Sequence, residues 1–171
     1  MERRFSFILF LALFLSALHA EKANYLYSFN SDLNEGISQL SVMDIYQDSK
    51  GYLWFATKNG LNRFNGKEYV IYRHEDGNEQ SLSSNSISSV TEDHEGNLYV
   101  GTMNKGLYII DSNKKWLNYL PTKDITCIYE DSKKNIWVGT KDDGLFRLDR
   151  NGGKTNYVHA PYKNGLSSNY V

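Results

Sequence analysis

The sequence predicts an all-β chain built of β-propeller blades, and three observations carry that prediction. One pattern is written three times: GYLWFATKNGLNRF from Gly51 returns as GNLYVGTMNKGLYII from Gly96 and as KNIWVGTKDDGLFRL from Lys134. The apolar residues alternate in short runs bounded by turn residues, and no stretch after residue 20 sustains a 3.6-residue period. The second run of each copy is apolar on both faces, with Leu53 and Phe55 pointing one way and Trp54 and Ala56 the other. An isolated hairpin cannot bury both faces, whereas a sheet stacked between neighbouring sheets can. Four short strands in each unit of roughly 40 residues, covered on both sides, describe a propeller blade. A sandwich or a β-solenoid fits less well.

The elements follow in order. Asp48, Asp93 and Asp131 mark equivalent points, 45 and then 38 residues apart. Each ends an alternating first strand: VMDIYQD from Val42, ISSVTED from Ile87 and ITCIYED from Ile125. A polar turn (SKG, HEG or SKK) leads into a second strand, YLWFAT, NLYVGT or NIWVGT. A Gly-containing turn opens the third strand, GLNRF, GLYII or GLFRL. Another turn leads into the fourth, EYVIYR, KWLNYL or TNYVHA, and Pro121 and Pro161 lie just past the second and third of these. The units are expected at 36–80, 81–122 and 123–165. NGLSSNYV from Asn164 repeats QSLSSNSI from Gln80, so residues 166–171 read as the start of a fourth blade and the chain as an incomplete propeller, the N-terminal piece of a longer protein.

Residues 1–20 stand apart. Arg3 and Arg4 precede an apolar run from Phe5 to Leu18, with Ala20 at a suitable cleavage point. This reads as a secretory signal peptide, an uncleaved anchor being the alternative, and residues 21–35 as a lead-in. The remainder carries 17 Lys and Arg against 19 Asp and Glu, a formal charge of −2 with both signs scattered. Such a distribution excludes a clustered basic stripe for nucleic acid. The single cysteine, Cys127, cannot form an internal disulfide, and its alternating apolar surroundings predict a small buried hydrophobe.

The repeat resembles the two-component regulator propeller repeat. The resemblance rests on Asp93, Gly96, Leu98, Tyr99, Val100, Gly101, Thr102, Gly106 and Leu107, with matches around Asp48 and Asp131. Ala56 replaces a glycine, Lys134 replaces the turn glycine, and TKNG is one residue shorter than TMNKG and TKDDG. The likeness covers residues 36–171. It implies the exported propeller region of a hybrid two-component sensor. Such a sensor carries a membrane helix, histidine kinase, receiver and DNA-binding domain further on, acts as a homodimer, senses an oligosaccharide and switches on glycan-utilisation genes. A secreted binding propeller without a kinase and a propeller lyase or hydrolase are the alternatives.

No catalytic set, metal site or cofactor is expected, and no ligand-binding residue is assigned. Trp54, Tyr99 and Trp137 recur at one position and therefore read as packing between blades. Gly101 and Gly139 read as places where backbones approach closely. Trp116, which has no aromatic counterpart in the sequence alignment of the units, and the long polar loop RHEDGNEQ (73–80) differ between repeats, which is where binding on a propeller resides; packing and a solvated loop are the plainer readings. The pairs Glu92–Asp93 and Glu130–Asp131 recur at strand ends, as turn caps would, and Asp142–Asp143 is a further acidic pair. His74, His94 and His159 fall in different loops without metal-ligand spacing.

Overall fold

The computed structural model describes residues 36–113, 115–161 and 165–171. The expected signal peptide and lead-in lie outside the described residues. The rest forms twelve strands: β1 (Val42–Gln47), β2 (Leu53–Thr57), β3 (Gly60–Phe64), β4 (Tyr69–Tyr72), β5 (Ile87–Glu92), β6 (Leu98–Thr102), β7 (Leu107–Ile110), β8 (Trp116–Asn118), β9 (Ile125–Glu130), β10 (Ile136–Thr140), β11 (Leu145–Leu148) and β12 (Lys154–Tyr157). They make three four-stranded antiparallel sheets, each in sequence order. All three expected blades are present, and among the described residues there is no helix.

Local chemistry sets each hairpin. The aspartate after the first strand folds its carboxylate back over the turn. Asp48 Oδ1 accepts the amides of Lys50 (3.0 Å) and Tyr52 (2.9 Å), and Asp93 and Asp131 do the same two and four residues on. After the second strand a fully buried threonine closes the next turn. Thr57, Thr102 and Thr140 donate Oγ1–H to the carbonyls of Gly60, Gly106 and Gly144 at 2.7–2.8 Å. Those glycines have φ of 81–120°, and a Cβ on Gly106 would fall 1.7 Å from the Leu120 carbonyl oxygen, so only glycine fits.

The core lies between blades rather than within them. One apolar cluster joins Trp54, Ala56 and Leu61 of the first blade to Leu82, Ile87, Val90, Leu98, Val100 and Tyr108 of the second. The other joins Leu107 and Leu120 to Ile125, Ile128, Ile136, Val138, Phe146 and Leu148. Ile87 and Ile125, at the head of the inner strands, are essentially inaccessible, and burial of each side chain contributes about 1.5–3 kcal/mol. A Cβ on Gly101 would meet Ile125 Cγ2 at 2.6 Å, and Val171 stands over Gly139 in the same way, at 3.2 Å. Close approach is thus found at both glycines, but by side chains rather than by the backbones that were expected, and Val171 takes the place that Ile87 and Ile125 hold in their blades. Backbone bonds cross every junction at an equivalent place, where Gly60, Gly106 and Gly144 donate to the carbonyls of Asn85, Lys123 and Asn169 (2.7–2.9 Å), and Val171 N adds a bond to the Thr140 carbonyl (3.0 Å).

Two further expectations are corrected. Cys127 is exposed rather than buried, because it points to the outer side of the third blade, where no further blade packs among the described residues. Trp116 does have an aromatic counterpart: it pairs with Ile110 as Tyr69 pairs with Phe64, so strand register aligns it with Tyr69. His74 and His159 lie in different linkers, as expected, and at equivalent places in them, as described next.

Candidate functional site: a groove beside the second blade

The residues that recur are committed to structure. Trp54 Nε1 donates to Asp48 Oδ2 and Trp137 Nε1 to Asp131 Oδ2, both at 2.8 Å. Trp54 pairs with Tyr72, and Trp137 with Tyr157, each with ring centroids 5.7 Å apart at 30°. In the second blade Tyr99 takes the indole's place; burial, then the Asp93 carboxylate, push its phenol pKa well above the ordinary value. Bonds from Asn135, the Trp137 indole and the turn amides hold Asp131 well below the usual carboxylate range.

The paired acids divide the labour. Each aspartate caps its own turn, while the preceding glutamate reaches the turn of the blade before. Glu92 accepts from Ser49 N (2.6 Å) and Ser49 Oγ (3.1 Å), and Glu130 accepts from His94 N (3.2 Å) and lies 2.6 Å from His94 Nδ1. His74 and His159 latch the linkers between blades. Their Nδ1 atoms face the carbonyls of Leu82 and Leu166 at 2.7 and 2.9 Å, and their amides donate to Asn85 Oδ1 and Asn169 Oδ1. The signal for this was in the sequence, since both histidines precede an L-S-S-N segment by seven or eight residues. Among the described residues no cluster of three or more His, Cys, Asp or Glu could hold a metal ion.

Two clefts repeat with the blades. Asp48, Trp54, Glu92, Leu98, Ile110 and Asp111 line one of about 370 Å³, and their counterparts Asp93, Tyr99, Glu130, Ile136, Leu148 and Asp149 line another of about 220 Å³. Clefts with equivalent walls follow from blade geometry. A third cavity, of about 410 Å³, is different: residues of the linker between β4 and β5 form one wall and the outer edge of the second blade the other. Its size falls within the range of small-molecule sites. His74, Glu75, Asn78, Glu79 and Ser83 face Tyr108, Trp116 and Asn118 across it. The structure thus brings together Trp116 and the 73–80 loop, which the sequence alignment set apart from the other repeats.

The groove is braced from behind. Asn78 Nδ2 donates to Glu75 Oε2 (2.7 Å), the Ser81 hydroxyl ties the loop to its own backbone, and Asn118 Nδ2 donates to the Tyr108 hydroxyl (2.9 Å). Trp116 is half-buried beside Tyr72, with ring centroids 6.2 Å apart. Ser83 Oγ is buried with no hydrogen-bond partner among the described residues. Among the described residues the lining contains two glutamates and neither Lys nor Arg.

Comparison with known proteins agrees with this architecture. The model of the two-component regulator propeller matches residues 36–59, 81–104 and 119–142, one match to each blade. A curated protein, histidine kinase P4 of Formosa agariphila, is 42% identical over 79 residues, which is 46% of this chain and 6% of that protein. The extracellular domain of a hybrid two-component system of B. thetaiotaomicron has 29% identity and a TM-score of 0.66 over 73% of this chain and 19% of its own. Virginiamycin B lyase of Staphylococcus aureus, at 19% identity and a TM-score of 0.56 over 72% of this chain and 43% of its own, shares the fold. Three tandem repeats, each folded as a blade, place the chain in the two-component regulator propeller family.

Proposed function

We propose that the chain is part of the exported ligand-sensing region of a hybrid two-component sensor that detects an oligosaccharide and governs glycan-utilisation genes. The observation that carries this reading is the family: three matched repeats, and a relative at 29% identity that is itself the extracellular domain of a hybrid two-component system. Export is supported by that relative and by the charged and apolar run at residues 2–18. Membrane anchoring and homodimerisation of the whole receptor belong to the same proposal. The geometry is compatible with a binding role, since Glu92, Asp93, Glu130 and Asp131 are each engaged in hydrogen bonds that hold turns.

Signalling then requires the ligand to prefer one arrangement of the receptor, because a ligand that binds two arrangements equally shifts neither. The test is transcriptional. Cells grown on a panel of purified glycans are compared with cells lacking the gene. One glycan should induce a gene set in the parent, and that induction should vanish in the deletion strain. Identical responses in the two strains on every glycan would overturn the proposal.

A further inference from the structure

We infer that the groove between the 74–83 linker and β8 is a saccharide subsite selective for sugars that carry no carboxylate or sulfate. This inference rests on the sensing reading and deepens it by assigning a place and a charge class. Three observations lead to it. First, Trp116 supplies a half-exposed indole, an amphipathic surface against which the apolar face of a sugar ring can lie while its hydroxyls turn outward. Second, the surrounding donors and acceptors are of the kind that read hydroxyl groups. Asn78, Asn118, Glu75 and Glu79 line the cavity.

Third, the charge is one-sided. Glu75 and Glu79 line the groove, and Asp76 holds His74 Nε2 at 3.0 Å immediately beside it. The other ring nitrogen of His74 faces the Leu82 carbonyl, so the imidazole is engaged on both sides and turns no free donor to a ligand anion. Among the described residues no Lys or Arg lines the cavity. A uronate or sulfate placed there meets carboxylates and, among the described lining residues, no compensating cation. Because the glutamates are exposed, this discrimination weakens as salt rises.

The experiment titrates the full-length protein with neutral xylohexaose and mannohexaose and with anionic hexamers of galacturonate and guluronate, by calorimetry and by tryptophan fluorescence. A neutral hexamer should bind with a fluorescence change, and the anionic hexamers at least tenfold more weakly at low salt. Trp116→Ala should weaken neutral binding at least tenfold. Trp116→Tyr, which keeps an aromatic ring as the first blade does at the same register, should retain most of it and guards against simple unfolding. Glu75→Gln with Glu79→Gln, both on the surface, should narrow the gap between neutral and anionic hexamers at least threefold. Neutral binding that is indifferent to Trp116, or stronger binding of an anionic hexamer, overturns the subsite and leaves the sensing reading standing. Absence of binding by every hexamer, together with absence of glycan-dependent transcription, overturns both.

Discussion

Lys134 occupies a left-handed backbone conformation, φ 69°, that its counterparts Gly51 and Gly96 fill at 86° and 83°. A side chain there is strained by its Cβ, and nothing lies within 4 Å of the corresponding position at Gly51. Lys134→Gly should therefore stabilise the protein by about 0.5–1 kcal/mol, the relief being partly offset by glycine's greater freedom when unfolded; urea denaturation reads the difference. Three residues earlier in the same turn, Asp131 carries a pH dependence of definite sign. Its folded pKa lies below the unfolded value of 3.8, chiefly through bonds from Asn135 and the Trp137 indole. The stabilisation is thus fully present above that unfolded value and is lost as pH falls through and below it. Asp131→Asn should flatten the fall in melting temperature as pH drops from about 4 to about 2, measured against wild type. A parallel fall in both proteins would count against the assignment.

The hairpin and the junction between blades are the units in which these residues act. The turn from β6 to β7 depends on Gly106, whose φ is 88° and whose amide crosses to Lys123 of the third blade. Gly106→Ala drives a methyl into the Leu120 carbonyl and should cost more than 3 kcal/mol or prevent folding, seen as loss of soluble protein or of the cooperative transition. The Glu92 carboxylate, reaching across to the turn at Ser49, tests the junction itself. Glu92→Ala should destabilise by about 1 kcal/mol, whereas Glu68→Ala, on an exposed turn, should change stability by less than about 0.5 kcal/mol. Most of this layer was legible in advance. Alternation fixed the first strands, the D-x-x-G turns fixed the hairpins, and recurrence at Trp54, Tyr99 and Trp137 marked packing rather than binding. What was not legible depended on register across strands. Trp116 and Tyr69 are separated from their repeat markers by turns of different length, so aligning the sequence hid an equivalence that the ladder of β7 and β8 reveals. The groove escaped for a related reason. Trp116 and the 73–80 loop are nearly forty residues apart in the chain, and only the stacking of the second blade on the first brings them face to face.

At the scale of the molecule, each blade presents one face to its predecessor and another to its successor, and the inner strands show which is which. Three residues before the marker aspartate, Ile45, Val90 and Ile128 look backward. Val90 and Ile128 are buried against the preceding blade, while Ile45, on the first blade, is 59% exposed. Four residues before the marker, Asp44 and Cys127 look forward. Asp44 is bonded across to Ser89 Oγ and Val90 N of the second blade, but Cys127 is open to solvent. Tyr129, two residues on, is likewise 66% exposed. Burial at these positions is therefore set by the neighbouring blade and not by the side chain's own polarity, which is why the alternation around Cys127 suggested a core residue. Val171 already stands over Gly139 as Ile125 stands over Gly101, so the forward face of the third blade is shaped for another blade in the same register. The Cys127 thiol reports whether one is there. In a chain of residues 1–171 it should react with a maleimide in native buffer at nearly its rate in denaturant. In a longer form that continues as a fourth blade past Val171, native labelling should slow at least a hundredfold, recovering only when the protein unfolds. Equal labelling of the two forms would mean that the blades do not stack in a common register, and the forward and backward faces assigned here would have to be abandoned.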